Sequence, residues 1–419
     1  MKTTCQQSLQ SQVEAIDWSF AESETQALTH AVHRYSGKFI PAVARQAIEL
    51  LSQPGETILD PFAGSGTTLL EAILLGRNAI GVDLNPLACL IARVKTTVVA
   101  EKEVRASVNR VCSKLACYGD NDASPFLFSP SKTTEQQNEY RTAWFLKWFH
   151  PERLEELIFV KSVIDAEANQ KCRDMLLVAF SDVVRAASNA HGGYPNVMFD
   201  KHRQKPQPVI PRFIKRLAEV SDAVVSLTEH FSRTAKCSIL RGDASALQLP
   251  NESADAIVTH PPYIGSIPYA EYGQLSLKWL GHDPKELDKA LLGGRRQSRD
   301  VQERFVEGYK GFFSSCHAAL KSGRHLFVLV GNPLVRGKRV DLAEISKYCA
   351  QHVGFSTVAE TTRRAINRRA NLMGDETILI FSKPKADNQQ NGFRSNGTPK
   401  ALNARVVTAK NNAVCNCEK

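Results

Sequence analysis

The chain has 419 residues, 43% of them hydrophobic, and its 53 basic and 43 acidic residues give a formal net charge of +10. This length and apolar content predict one elaborated α/β domain, or a domain with a sizeable insertion, and exclude a small module that depends on disulfides. The charge suits a polyanionic partner without identifying one. Neither an apolar signal core nor a run of about eighteen apolar residues occurs. We therefore expect a cytoplasmic protein that does not span a membrane.

The ten cysteines are scattered along the chain and follow neither a zinc-ligand nor a disulfide spacing. Only Cys415 and Cys417 lie close together, in a polar tail, and two ligands without a second pair make a weak metal site. The pattern predicts reduced cysteines and no bound metal.

The first regular elements follow one another closely. Residues 57–60 form a short apolar run, and residues 61–68 a glycine-rich turn. A helical pattern follows at 69–76, and then a second apolar run at 78–84, in which Asp83 stands near the end. Residues 85–95 continue with another helical pattern. This order predicts the opening of a doubly wound α/β sheet, whose ligand lies at the carboxyl ends of the strands.

After Thr97 the alternation of strand and helix stops for about 140 residues, and amphipathic helical patterns replace it. The apolar runs of the sheet then resume near residues 240, 257, 328, 360 and 379. We divide the chain into an extension at 1–29, a first part of the sheet domain at 30–97, a helical insertion at 98–235, a second part of the sheet domain at 236–383 and a tail at 384–419. The tail is polar and rich in asparagine, so we expect it to be disordered.

The glycine-rich turn between Asp60 and Thr68 indicates a nucleoside site. Its glycines let the backbone approach a ligand, and Asp83 closes the next strand, where an acid accepts hydrogen bonds from ribose hydroxyls. The turn lacks both the Gly-Lys-Ser/Thr of a phosphate-binding loop and the third glycine of a dinucleotide fingerprint. The pattern therefore favours an adenosine-type ligand, and the alternative is a tight turn capped by threonines.

The letters DPFAGSGTT resemble the S-adenosylmethionine motif of the DNA amino-methyltransferases, which methylate adenine N6 or cytosine N4. The resemblance covers residues 30–97 and 236–383. It implies a Rossmann-like methyltransferase sheet with helices on both faces, interrupted by the mainly helical insertion, and S-adenosylmethionine as cofactor.

The same resemblance implies a role for each part of the cofactor site. The loop surrounds the methionine moiety, Asp83 holds the ribose, and Asp243 binds the adenine amino group, for which helix capping is the alternative. The segment SGKFIP closes over the methionine carboxylate. The cofactor residues implied are Lys38, Phe39, Pro41, Asp60, Phe62, Gly64, Gly66, Thr67, Asp83 and Asp243.

A second motif, His260-Pro261-Pro262-Tyr263, ends a predicted strand and resembles the Asp/Asn/Ser-Pro-Pro-Tyr signature of the same family. An exocyclic base amine is a poor nucleophile because its lone pair is delocalised into the ring, so the site must accept hydrogen bonds from the amino hydrogens. Consecutive prolines supply carbonyls without competing amide donors. We expect Tyr263 to stack on a base that has left its duplex. The alternative is a strand end closed by a proline turn.

His260 replaces the usual first residue of that signature. A neutral imidazole still accepts one hydrogen bond and is able to take up the proton released by the amine. The family's usual guide to base choice is lost with this replacement. We favour cytosine N4 because residues 264–281 resemble the cytosine-N4 branch.

Three alternatives remain open from the sequence. They are an adenine-N6 DNA methyltransferase, a base methyltransferase of RNA, and a module that binds S-adenosylmethionine and DNA without catalysis. DNA is the expected partner and a cognate restriction endonuclease a candidate one, while the oligomeric state is not predicted.

Two basic clusters are candidates for phosphate contacts. They are Lys201, His202, Arg203, Lys205, Arg212, Lys215 and Arg216 in the insertion, and Arg363, Arg364, Arg368 and Arg369 near the end of the sheet domain.

Overall fold

The computed structural model describes most of the chain. The described residues are 8–118, 139–193, 196–204, 206–231, 234–265, 267–293, 301–335, 337–364 and 375–385. The predicted tail lies outside these ranges except for its first two residues, and so do Lys205, Arg368 and Arg369.

Seven strands form the central sheet in the order β3-β2-β1-β4-β5-β9-β8. Strand β9 is antiparallel to both of its neighbours, and the pairs from β3 to β5 are parallel. A short hairpin, β6 with β7, stands apart. The strands are β1 Thr57–Asp60, β2 Asn78–Asp83, β3 Cys237–Arg241, β4 Ala254–Thr259, β5 Leu320–Gly331, β6 Leu334–Val335, β7 Lys338–Arg339, β8 Ser356–Arg363 and β9 Glu376–Ser382.

Helices account for most of the remaining described residues, and several begin with proline, whose fixed φ and missing N–H suit the first helical turn. They are α1 Leu9–Glu14, α2 Pro41–Leu51, α3 Thr67–Leu74, α4 Pro86–Thr96, α5 Glu101–Ala116, α6 Ala143–Trp148, α7 Pro151–Asp165, α8 Gln170–Ala187, α9 Val209–His230, α10 Tyr269–Tyr272, α11 Gln274–Trp279, α12 Pro284–Ala290, α13 Val301–Ala319 and α14 Leu342–His352. Among the described residues, none of these helices is long and apolar enough to cross a bilayer.

Both faces of the sheet are covered by helices, because successive side chains of a buried strand point to opposite sides. Ile58 and Val258 pack with residues of α2 and α3 on one face. Leu59 and Ile257 pack with residues of α13 and α14 on the other. The predicted α/β class, with a mostly parallel sheet between two helical layers, is confirmed.

Helices α5 to α9 occupy the interval between β2 and β3 and share one apolar core with α4 and α11. Trp279 of α11 is almost fully buried at its centre. Its ring stacks on Tyr140 at 4.6 Å between ring centroids and meets Phe145 and Phe180 edge-on. The helices of the predicted insertion therefore pack against the segment that follows the His260 motif, and the boundaries at 98 and 235 do not divide two separate cores.

The structure engages three of the predicted phosphate-binding arginines internally. Arg216 donates to the carbonyls of Ala31 and Val32 and pairs with an aspartate of α8. Arg203 donates to carbonyls at the end of that helix. Arg363 is buried and forms an ion pair inside the sheet domain. Because these guanidinium groups already have partners, a contact of these three with DNA phosphates is not supported. Of the same clusters, Lys201, His202, Arg212, Lys215 and Arg364 are exposed.

Substitution of Gly66 tests how closely the glycine-rich turn packs on α4. Gly66 is the residue before α3 and has a φ of +80°, and an added Cβ would lie 2.9 Å from the Cβ of Ala92. Gly55 has a φ of +86° with open space around it. We expect Gly66→Ala to lower the free energy of unfolding by about 1–3 kcal/mol more than Gly55→Ala in urea unfolding, since only Gly66 adds a steric clash to the backbone strain. An equal loss in the two variants would contradict this packing argument.

Candidate active site

An open cleft of about 840 Å³ lies at the carboxyl ends of β1, β2 and β4. Parallel strands end at the same edge of the sheet, so residues far apart in the sequence meet there. Ten of the predicted site residues line this cleft. They are Lys38, Phe39, Asp60, Phe62, Gly64, Thr67, Asp83, Asp243, His260 and Pro262.

Four predicted site residues do not line the cleft. Pro41 begins α2 and is buried, and Gly66 begins α3 against α4. Pro261 is buried behind the strand end. Tyr263 is only 5% exposed and packs in the core beside β5. Stacking of Tyr263 on a base stays a prediction, and it would require the ring to leave this position.

Asp60 and Asp83 end adjacent strands and are both buried. Asp60 accepts hydrogen bonds from the Thr259 hydroxyl at 2.7 Å and from the Phe62 amide at 3.1 Å. Asp83 accepts from the amides of Gly64 and Asn85, each at 2.8 Å. Burial raises the pKa of each carboxyl to about 6. Among the described residues neither carboxylate has a lysine or arginine partner, so a cationic ligand that also donates hydroxyl hydrogens fits between them.

Asp243 follows β3 and lines the same cleft. Its Oδ1 accepts from the amide and the hydroxyl of Ser245, each at 2.8 Å, and so caps a 3-10 turn at Ala244–Ala246. The capping alternative is therefore realised, and the carboxylate remains at the cleft wall. Binding of an adenine amino group there stays a prediction.

Lys38 supports the segment that closes one side of the cleft. Its Nζ donates to the carbonyls of His30 at 2.9 Å and His33 at 2.7 Å, and burial lowers its pKa to about 8. These bonds hold the turn at residues 28–38 beside the cofactor loop. The contact of this segment with a methionine carboxylate stays a prediction.

Sequence reasoning missed an aromatic pair in the cleft wall. Tyr35 and Tyr269 stack at 6.0 Å between ring centroids with an angle of 20° between the ring planes. The Tyr35 hydroxyl accepts a hydrogen bond from Asn85 at 3.2 Å. Tyr269 lies within residues 264–281, which resemble the cytosine-N4 branch, but its pairing with Tyr35 depends on two segments more than 200 positions apart.

His260 occupies the corner of the cleft next to Phe39, with 5.4 Å between the two ring centroids. Its Nε2 lies 2.7 Å from the hydroxyl of Tyr263. Burial lowers the pKa of His260, so the imidazole is neutral near pH 7. Behind it, the Tyr263 hydroxyl donates to Glu376 at 3.3 Å, and Glu376 pairs with Arg363 at 2.6 Å. The sequence carried no signal of a site role for Glu376, and it marked Arg363 only as a candidate for phosphate contacts.

The chain is similar to several known DNA methylases. A family model for N6 and N4 DNA methylases matches residues 4–94, which include the glycine-rich loop and Asp83. Two relatives carry the similarity further along the chain. The Type II methyltransferase M.MjaII of Methanocaldococcus jannaschii is 23% identical over 84% of this chain and 80% of its own length. The Type II methyltransferase M.MvaI of Kocuria varians is 27% identical over 69% of this chain and 66% of its own.

The chain is therefore similar to N6 and N4 DNA methylases in its first part, and to Type II methyltransferases over most of its length. A third relative, M.BsoBI of Geobacillus stearothermophilus, is 24% identical over 70% of this chain and 61% of its own length. The chain thus spans less than two thirds of the length of M.MvaI and of M.BsoBI.

The cofactor is S-adenosylmethionine, and the cleft fits it. Asp60 and Asp83 are buried, and among the described residues neither has a lysine or arginine partner, so they suit the positive charges and ribose hydroxyls of this cofactor. The φ of +51° at Gly64 lets the backbone pass close to a ligand. No group of three or more metal-ligating side chains occurs among the described residues.

The raised pKa values predict a pH-dependent cofactor affinity. An ionised carboxylate accepts the ribose hydroxyls, so the ligand favours the deprotonated acids, whose pKa is about 6 in the free protein. We expect the Kd of S-adenosylhomocysteine, measured by calorimetry, to be constant above pH ~7 and to rise about tenfold per pH unit per proton below the pKa. Asp83→Asn should bind more weakly at pH ~8 and show a shallower slope, because one titrating acid is gone.

The control for this titration is Glu167→Gln. Glu167 lies between α7 and α8, so this substitution leaves both cleft carboxylates in place. Its slope should match that of the wild type. A Kd independent of pH in the wild type would contradict the assignment of these carboxylates to the cofactor.

Proposed function

We propose that this protein transfers a methyl group from S-adenosylmethionine to the exocyclic amino group of a base in DNA, with cytosine N4 as the favoured target. The observation that carries the proposal is the junction of the two motifs. Strand β1 pairs with β4, and Thr259 donates to Asp60 at 2.7 Å. The residue before His260 is therefore bonded to the first acid of the cofactor loop.

The reaction needs a methyl donor and an acceptor for the amine hydrogens. S-Adenosylmethionine, when bound, supplies a methyl group on a sulfonium; the C–S bond breaks as the N–C bond forms. The base nitrogen then gives up one proton. His260 lines the cleft with a neutral ring, so it accepts a hydrogen bond from the amine and takes that proton. Pro262 forms the adjoining wall.

Several features favour the choice of DNA and of cytosine. M.MjaII, M.MvaI and M.BsoBI are described as Type II methyltransferases. By analogy we propose site-specific methylation, either beside a cognate restriction endonuclease or as an independent modification enzyme. The preference for cytosine N4 rests on the resemblance of residues 264–281 to that branch, and adenine N6 is the alternative.

We further propose that residues 98–235 contribute to target recognition. This helical region packs on α11 through Trp279, directly downstream of the His260 motif. It also presents exposed basic side chains, which suit phosphate contacts. They are Lys201, His202, Arg212 and Lys215.

Transfer of labelled methyl tests the proposal directly. S-Adenosylmethionine is incubated with the protein and with unmodified double-stranded DNA, single-stranded DNA or RNA, and the product nucleosides are identified by mass. We expect N4-methylcytosine in DNA. N6-methyladenine would keep the class and change the base, and label in RNA alone would overturn the choice of substrate. Cofactor binding without transfer to any substrate would favour a binding module.

Variants should separate cofactor binding from transfer. We expect Asp83→Ala to raise the Kd of the cofactor first, because it removes the ribose acceptor. His260→Ala and Pro262→Ala should leave that Kd unchanged and lower kcat, with a loss of about 10²–10⁴-fold at His260 if it is the acceptor of the amine proton. Equal losses of binding and turnover in all three variants would contradict this division.

A further inference from the structure

Four side chains form a hydrogen-bonded line from the cleft into the sheet domain. His260 Nε2 lies 2.7 Å from the Tyr263 hydroxyl, which lies 3.3 Å from Glu376 Oε1. Glu376 Oε2 accepts from Arg363 at 2.6 Å. Tyr263, Glu376 and Arg363 are 5%, 8% and 4% exposed, so the line is shielded from water behind the cleft. Buried polar groups of this kind need fixed partners, which gives the line a defined geometry.

The far end of the line is held rigidly. Arg363 and Glu376 are direct partners across the antiparallel pair of β8 and β9. The Arg363 Nε donates to the carbonyl of Trp18 at 2.9 Å, which fixes the plane of the guanidinium. Gly331 makes room for the tyrosine ring, since a Cβ there would lie 2.9 Å from a ring carbon of Tyr263. The guanidinium of Arg363 occupies Oε2 of Glu376, which leaves Oε1 to accept from Tyr263.

The direction of the hydrogen bonds follows from the donors available. The carboxylate of Glu376 accepts from Arg363 through one oxygen and from Tyr263 through the other, so the single hydroxyl hydrogen of Tyr263 points to Glu376. The tyrosine oxygen is then the acceptor for His260, and Nε2 must carry the hydrogen of the neutral imidazole. In that tautomer Nδ1 holds the free lone pair. His260 lines the cleft, and Nδ1 is the ring nitrogen left for a substrate.

We propose that Glu376, held by Arg363, is a positioning residue that acts through Tyr263 to set the tautomer of His260, with Nε2 protonated and Nδ1 as the acceptor for the base amine. The proposal rests on the methyl transfer proposed above. When the amine proton moves to Nδ1, the ring becomes an imidazolium, and the negative charge of Glu376 behind Tyr263 stabilises it. The reverse tautomer would present an N–H to the amine and could accept nothing from it.

This inference gives Tyr263 a role in which its hydroxyl matters. A tyrosine that only stacks on a base is replaced by phenylalanine with little loss, because the ring is unchanged. A tyrosine that relays a hydrogen bond is not. Tyr263→Phe therefore separates the two roles while it preserves the packing against Gly331.

The tautomer is measured by NMR on the full chain with nitrogen-15 in its histidines, through long-range proton–nitrogen correlations of the ring. The signals of His260 are assigned by their loss in His260→Gln. In the wild type we expect the hydrogen on Nε2. In Tyr263→Phe and Glu376→Gln we expect the Nδ1–H form to appear, since the fixed acceptor is lost. A wild-type ring protonated on Nδ1, or a tautomer unchanged in both variants, would overturn the proposal.

Glu167→Gln is the matched control. Glu167 is a buried carboxylate that accepts from the Ser107 hydroxyl at 2.7 Å and from Arg110 at 2.8 Å, as Glu376 accepts from a hydroxyl and an arginine. It lies in the helical region between β2 and β3. We expect it to cost a similar loss of stability and to leave the His260 tautomer unchanged. Should Glu376→Gln fail to fold, Tyr263→Phe still decides the question.

Turnover supplies the second measurement. We expect Tyr263→Phe and Glu376→Gln to lower kcat about 10–100-fold while the Kd of S-adenosylhomocysteine stays the same, as for other groups that orient a reacting ligand. A changed tautomer with an unchanged kcat would overturn the role in catalysis. The two proposals fail separately: a wild type that methylates nothing still reports its tautomer, and a wrong tautomer leaves methylation in place.

Discussion

The hydrogen bond between Thr259 and Asp60 joins the two halves of the active site. It links the last residues of β1 and β4, which are 199 positions apart in the chain. The neighbouring parallel strands bring the cofactor loop and the His260 motif to one edge of the sheet. The cleft lies at this junction, because residues of both segments line it. The bond also gives the buried Asp60 carboxylate a hydroxyl donor, which lowers the free-energy cost of burying its charge.

The site is built from groups whose charge is poorly compensated by the protein itself. Two buried carboxylates face the cleft without a cationic partner among the described residues, and the imidazole at its corner is kept neutral by burial. Such an arrangement costs stability in the free protein, and a cationic cofactor relieves that cost on binding. The same burial keeps the His260 imidazole neutral, the form in which one ring nitrogen has a free lone pair. The charge states of all three side chains therefore depend on one property, the exclusion of water from the strand ends.

The helical region is tied to the cofactor side of the cleft as well as to the base side. Arg216 of α9 donates to the carbonyls of Ala31 and Val32, and Lys38 donates to the carbonyls on either side of them. The turn at residues 28–38 is thus held between cations from two parts of the chain. An arginine that looked like a phosphate ligand in the sequence is a structural link instead.

The sequence by itself determined the succession of the first strands and helices along the chain, the glycine-rich loop, the acids that end β1 and β2, and the place of the His260 motif after a strand. These features depend on local chemistry: apolar runs, glycine at positive φ, and a carboxylate directly after a strand. Only the tertiary structure decided which face each side chain occupies. It turned Tyr263 away from the cleft, paired Tyr35 with Tyr269, and took Arg363 out of a basic cluster into an ion pair. Such contacts join strands and loops from opposite ends of the chain, and no local pattern encodes a partner that folding alone brings within hydrogen-bond distance.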